Sequence, residues 1–241
     1  THLLLGENTL VNMSHRLGIE SKLSPNPSLA LGTGEMRMSE LTEAYSTFAN
    51  MGSRVEQHFI EKIEDNSGNT IYQFSHYNEK ILNESLTFIL NEMLTYTYDK
   101  AFINYNYPTV ISLLPKISNK YAIKTGTTDT DVWIVGYNKN AVLSIWNGYD
   151  NNKKIDTNEH NYHKNIWINT MENYLKDKDN SWYDIPNDVV GTLVNPITGE
   201  AAKEGDKNTK IFYFLKGTEP SYGTKDFETV FKEENEKKFA S

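Results

Sequence analysis

Tyr121-Ala122-Ile123-Lys124-Thr125-Gly126-Thr127-Thr128 is a short apolar run that ends in a cation, two small hydroxyls around a glycine, and another threonine. Asp131-Val132-Trp133-Ile134-Val135-Gly136-Tyr137 follows and reads as its partner strand. A third strand over residues 141–147 is joined to it by the tight turn Asn138-Lys139-Asn140. Val132 to Val135 and Val142 to Trp146 are nearly continuous apolar runs, the mark of strands covered on both faces. The expectation is a sheet with helices on each side, an α/β (α+β) domain.

Working outward, Leu10, Met13 and Leu17 recur at helical spacing, and Ser24-Pro25-Asn26-Pro27 breaks the pattern with a turn. A stronger helix follows, with Ser39 as the expected cap and Leu41, Ala44, Tyr45, Phe48 and Ala49 on one face. Residues 58–74 predict a β-hairpin around Asp65-Asn66-Ser67-Gly68-Asn69. That turn superficially suggests a calcium loop, but the glycine register and closing glutamate are missing. Another helix from about Glu84 should carry Leu86, Ile89, Leu90, Met93 and Leu94 on one face, and residues 99–119 read as a long ordered loop. His160 and His163 invite a metal; with no third ligand in view they read as part of a solvated loop, and no metal is expected. A further helix places Trp167, Met171, Tyr174 and Leu175 together, late strands are expected at 189–194 and 211–215, and 225–241 reads as a frayed terminal helix.

Composition limits the functions. With 24 basic against 32 acidic residues the net charge is −8 in 241 residues, and nucleic acid is not an expected partner. There is no cysteine, which excludes disulfides, thiolate metal sites and a Cys nucleophile. No apolar run approaches a membrane span and no signal peptide opens the chain. The start at Thr1, inside an apolar pattern and without methionine, reads as a piece of a longer protein.

Chemistry concentrates at the opening stretch. Lys124 offers a compact cation, Thr125 and Thr127 offer hydroxyls able to hold a carboxylate, and Gly126 removes a side chain where another backbone could approach. An exposed edge there could take an extended peptide as an added strand. The plain alternative is a surface lysine before a turn glycine.

The neighbouring segments weigh against that alternative. Ser28-Leu29-Ala30-Leu31-Gly32-Thr33, Glu35, Ser39-Glu40-Leu41, Ala44-Tyr45 and Phe48-Ala49-Asn50-Met51-Gly52 follow, in order, the pattern of the transpeptidase domain of class A penicillin-binding proteins. Lys124-Thr125-Gly126-Thr127-Thr128 resembles that family's third active-site motif. Trp146-Asn147-Gly148-Tyr149-Asp150 and Phe214-Leu215-Lys216-Gly217-Thr218-Glu219-Pro220 are similar to its last core strand and its C-terminal segment. The resemblance covers most of the chain. It implies the penicillin-recognising serine-transferase (β-lactamase-like) fold, an antiparallel sheet between helical layers, here in its C-terminal portion, with residues 1–220 in the domain and 221–241 a charged extension. It implies an enzyme that cross-links peptidoglycan stem peptides, on lipid II-derived glycan strands, and is acylated by β-lactams. No cofactor is implied. The site would lie on the extracytoplasmic face of a bacterial membrane, anchored by a segment outside this sequence. Lys124, Thr125, Gly126, Thr127 and Thr128 would bind substrate, and the Thr127 backbone N–H would form half of an oxyanion hole.

Departures from the pattern are equally informative. The family's nucleophile motif, Ser-x-x-Lys, occurs nowhere in these 241 residues. Ser24-Pro25-Asn26 and Ser67-Gly68-Asn69 match the family's Ser-x-Asn in letters only, since that motif precedes the helix resembling residues 9–17. Ile123 stands where the family usually has glycine, and would either narrow the cleft or pack inward. The expected function is therefore the substrate-holding part of a D,D-transpeptidase, inactive alone, whose nucleophile lies on the preceding segment of the same domain. A sensor or degenerate domain that binds β-lactam or peptidoglycan without turnover is the alternative, and a β-lactamase fits the match at 28–52 less well. A sheet lacking its first strands would expose apolar edges, so the piece is expected to need that segment to fold.

Overall fold

The computed structural model describes residues 2–203, 206 and 208–221; the expected terminal helix at 225–241 and all but the first residue of the 221–241 extension lie outside them. Two N-terminal helices, α1 (His2–Leu5) and α2 (Glu7–Arg16), lead to α3 (Met38–Ala49). An arm follows, built from β1 (Ser53–Val55), β2 (Lys62–Glu64), β3 (Thr70–Gln73) and β4 (Asn78–Lys80). Next come α4 (Glu84–Thr95), the sheet strands β5 (Ala122–Thr127), β6 (Asp131–Asn138) and β7 (Ala141–Gly148), and α5 (Tyr162–Leu175). A final hairpin pairs β8 (Val189–Val194) with β9 (Lys210–Leu215).

The central sheet runs β5-β6-β7 and is antiparallel throughout. Its two faces are filled differently. Tyr121 and Ile123, with Ile134 of β6, pack with Trp167, Ile168, Met171 and Leu175 of α5 in one cluster. The opposite face meets α3 and α4: Thr42 donates to Ser144 Oγ at 2.8 Å, and the Tyr137 hydroxyl donates to Asn91 Oδ1 at 2.7 Å. This is the helix-flanked antiparallel sheet expected from the sequence. Ile123 is fully buried in the α5 cluster, so it packs inward and leaves the open side of β5 unobstructed.

Several local expectations are corrected. The first turn of α3 is capped at Arg37, not Ser39; Glu40 Oε2 accepts from Arg37 N–H at 3.2 Å and from Ser21 Oγ at 2.6 Å. α4 buries Ser85, Phe88, Asn91, Glu92 and Thr95, while Leu86 and Met93 of the expected apolar face are more than half exposed. Burial of the polar side costs little because its groups are paired. Asn91 Nδ2 donates to Phe48 O at 3.0 Å, and Glu92 accepts from Lys120 Nζ at 2.7 and 2.8 Å and from Trp182 Nε1 at 2.5 Å. Tyr174 points outward from α5, whereas His163 takes a place in its buried row. The loop at 99–119 holds short 3₁₀ turns at Lys100–Phe102 and Ile111–Lys116.

His163 is 1% exposed, and neither ring nitrogen has a hydrogen-bond partner among the described residues. Burial therefore pushes its imidazole down to about 4. The unfolded chain titrates near the ordinary 6.5, so it binds more protons than the folded one between those values. Stability contributed by the neutral ring is complete above about pH 6.5 and is lost as pH falls toward 4, by roughly 2–3 kcal/mol. Melting curves across that window should show this slope, and His163→Leu should flatten it; an identical slope in the variant would assign the loss to carboxylates instead.

Candidate functional site

β5 emerges from the core with an abrupt change of burial: Ala122 and Ile123 are buried, Lys124 is exposed, Thr125 is half-buried, and Gly126 and Thr127 are exposed. Among the described residues only one edge of β5 is paired, with Lys124 opposite Val135, Gly126 opposite Trp133 and Thr127 opposite Val132. Side chains alternate across a strand. Thr125 and Thr127 thus share the side of Ile123, and Lys124 and Gly126 share the side facing α3 and α4.

Backbone parity follows from two hydrogen-bond contacts. At the start of the strand the Tyr98 hydroxyl donates to Tyr121 O at 2.9 Å and accepts from Tyr121 N–H at 3.1 Å. Both backbone groups of Tyr121 hence point away from β6, to the edge with no partner strand. At the other end Thr128 N–H donates to Asp131 O at 2.9 Å, so the even-numbered residues pair with β6. In an antiparallel ladder this direction alternates residue by residue. The N–H groups of Thr125 and Thr127 accordingly face the open edge. Burial holds the Tyr98 phenol up at about 12, so it stays a neutral hydroxyl that can donate and accept.

The polar groups at this edge are largely unspent. Lys124 Nζ donates to the Thr125 carbonyl, and among the described residues no carboxylate lies in ion-pair range of it. Neither the Thr125 nor the Thr127 hydroxyl is hydrogen-bonded among the described residues. Thr128 differs: its hydroxyl donates to Asp131 Oδ1 at 2.6 Å and accepts from the N–H groups of Thr130 and Asp131, which closes the β5–β6 turn. A Cβ built on Gly126 meets only Trp133 Cβ, at 3.6 Å, an ordinary contact. Packing among the described residues does not require glycine there. Gly126, Trp133 and Trp146 lie in register across the three strands and form a partly exposed aromatic floor beside Lys124.

The opposite end of β5 is anchored. Glu172 of α5 accepts from Ser118 N–H at 3.0 Å, Asn119 Nδ2 at 3.2 Å and the Tyr121 hydroxyl at 3.0 Å. The Ser-x-Asn look-alikes are committed to their own turns. Asn26 Oδ1 accepts from Ser28 Oγ at 2.9 Å, and Asn69 Nδ2 donates to Asp65 Oδ2 at 2.8 Å. His160 and His163 do not converge on a shared site, since His163 is turned into the core. A different group, His58, Glu61 and His76 on the arm, brings its donor atoms within 4.8 Å of one another. Sequence reading missed it because the two histidines are eighteen positions apart and meet only through the fold of the arm. No helix among the described residues is long and apolar enough to cross a membrane.

No protein-family model matches the chain. Among curated proteins it is 36% identical to Penicillin-binding protein 2D of Bacillus subtilis over 222 residues, which span 92% of this chain and 32% of that protein. It is 30% identical to Penicillin-binding protein 1A of Aquifex aeolicus over 230 residues, 94% of this chain and 30% of that protein. The chain thus spans about a third of the length of the curated relatives it matches. Among solved structures, Penicillin-Binding Protein 1A from Haemophilus influenzae superposes with a TM-score of 0.80 at 23% identity, over 91% of this chain and 38% of that one. The penicillin-binding protein PonA1 from Mycobacterium tuberculosis gives 0.60 at 19% identity, over 74% of this chain and 52% of that one. Those two share its fold. With identity running along most of its length and the same sheet and helices beneath it, the chain belongs to the penicillin-binding proteins, as part of the transpeptidase domain of their class A members.

Proposed function

We propose that this chain supplies the substrate-holding wall of a peptidoglycan D,D-transpeptidase. One observation carries the reading: among the described residues, one edge of β5 is unpaired, the hydroxyls of Thr125 and Thr127 and the Thr127 N–H there are unspent, Lys124 has no carboxylate partner, and packing does not need the glycine at 126. A stem peptide would add to that edge as a strand, with its terminal carboxylate held by Lys124 and Thr125. Gly126 gives its backbone room to approach. The Thr127 N–H would donate to the carbonyl oxygen as it gains negative charge, half of an oxyanion hole. Thr128 would act through the turn, fixing the direction in which Thr127 presents its amide.

A β-lactam would occupy the same edge, its carboxylate on Lys124 and its ring carbonyl at Thr127. The nucleophilic serine and its activating lysine would come from a segment outside these 241 residues, which contain no Ser-x-x-Lys. Residues 1–220 would belong to the domain, and the complete protein would work at the extracytoplasmic face of the membrane, anchored by a segment that this sequence does not include.

Intact-mass spectrometry tests the assignment. Incubated with benzylpenicillin, the 241-residue chain should gain no covalent adduct, while the full-length protein should gain one, on a serine outside residues 1–241. A stoichiometric adduct on this chain would show that the nucleophile has been misplaced. A full-length protein that binds the drug without acylation would favour a non-catalytic sensor.

A further inference from the structure

The arm between α3 and α4 is not a uniform hairpin. β1 pairs with β4 at its base and β2 with β3 toward its tip. Between those ladders, residues 56–61 lie across from 74–77, so six positions face four and regular pairing stops. Side chains from both strands fill the junction. His58 Nε2 lies 2.7 Å from Glu61 Oε2, and His76 Nε2 lies 2.7 Å from Glu61 Oε1. Two imidazoles therefore aim the same ring nitrogen at one carboxylate, from opposite strands.

The donors are held in place. Glu61 O accepts from Phe74 N–H at 2.8 Å and from Gln73 Nε2 at 3.1 Å, which fixes the backbone that carries the carboxylate. The His58 ring stacks on Phe74 with centroids 3.6 Å apart and planes at 10°, and meets His76 edge-on at 5.4 Å. His58 Nδ1 faces Glu56 O at 3.4 Å. Both nitrogens of His58 thus point at oxygen, and a neutral imidazole has one N–H for the two. If Nδ1 carries it, Nε2 presents a lone pair toward Glu61, which is satisfied either by a second proton on the ring or by a metal cation held between them. A metal-bound histidine commonly donates its other ring N–H to a backbone carbonyl in this way.

We infer that His58, Glu61 and His76 form a binding site for a divalent transition-metal ion of the zinc type, a clasp that joins the two strands of the arm at their break in pairing. Two imidazole nitrogens and one carboxylate oxygen suit zinc and its borderline neighbours, with a fourth position left for water. Magnesium and calcium, which take oxygen ligands in larger number, find a single carboxylate here. The site stands apart from β5 and takes no part in the proposed transpeptidase chemistry, so its test is independent of that reading.

Calorimetric titration of Zn²⁺ into the untagged, metal-free full chain near neutral pH should give one bound equivalent, and Mg²⁺ none. Co²⁺ should give the visible absorption of a protein-bound ion with nitrogen ligands. His58→Ala, Glu61→Gln and His76→Ala should each weaken Zn²⁺ binding by about tenfold or more. All three side chains sit on the exposed arm, so the circular dichroism of the variants should match the parent, and His160→Ala should bind as the parent does. A chain that takes up no Zn²⁺, or one whose uptake survives all three substitutions, would overturn the assignment.

Discussion

Lys124→Ala in the full-length protein should slow acylation by benzylpenicillin about a hundredfold or more, the scale on which a preorganised group at a reacting centre acts. The fold should barely register the change. Lys124 is exposed, its one described contact is the neighbouring Thr125 carbonyl, and no carboxylate among the described residues relies on it. An exposed cation with no ion pair contributes little to stability. Stopped-flow measurement with a fluorescent penicillin, alongside a melting curve, separates the two effects. Unchanged acylation kinetics would remove Lys124 from the carboxylate-holding role. Gly126→Ala sharpens the test. The added methyl meets only Trp133 Cβ at 3.6 Å, so stability should hold or rise slightly, as alanine costs less backbone entropy than glycine. Acylation should nevertheless fall if a second backbone lies against that position. A variant that acylates normally would mean that the edge is approached from elsewhere.

Trp167→Ala should destabilise the protein by about 3–5 kcal/mol, the range for emptying a large aromatic site in a packed core. The indole is fully buried at the middle of the α5–sheet cluster, sits edge-on to Tyr121 at 5.1 Å, and donates Nε1–H to Leu143 O at 3.0 Å. Its loss removes packing against all three strands and leaves a cavity that a β-sheet cannot easily collapse. The reciprocal change makes the same point: a Cβ on Gly136 would stand 2.2 Å from the Trp167 ring, so Gly136→Ala forces the indole out of place and should cost about 1–3 kcal/mol or more. Chemical denaturation of both variants measures this. A loss under about 1 kcal/mol for Trp167→Ala would mean that the packing of α5 on the sheet contributes little to stability.

The sheet was legible because its strands are long, apolar and joined by turns that leave little choice of partner. The Lys124 motif was legible for a related reason, since its chemistry and its strand coincide in six consecutive residues. Features built from distant residues were not. Periodicity assigned Leu86 and Met93 of α4 to the buried side because it scores apolarity alone, yet Asn91 and Glu92 found partners in Tyr137, Phe48, Lys120 and Trp182 and went inside. His163 looked solvated because its neighbours are polar; only the position of the α5 start turns it inward. The short pairing of β1 with β4 spans residues of no marked β character, and it is set by where the arm begins and ends. Nor could any spacing rule show which amides of β5 face outward, because that follows from Tyr98 gripping Tyr121.

That grip turns β5 into a ruler for hydrogen exchange. Lys124 and Gly126 have their amides locked to β6, while Thr125 and Thr127, one step away on the same strand, have theirs turned to solvent. Deuterium should enter Thr125 and Thr127 early and Lys124 and Gly126 late, an alternation of fast and slow sites along four consecutive residues. A ligand that lies along the edge as a strand would slow the fast pair and leave the slow pair as it was. One that merely rests its carboxylate on the lysine would leave the alternation intact.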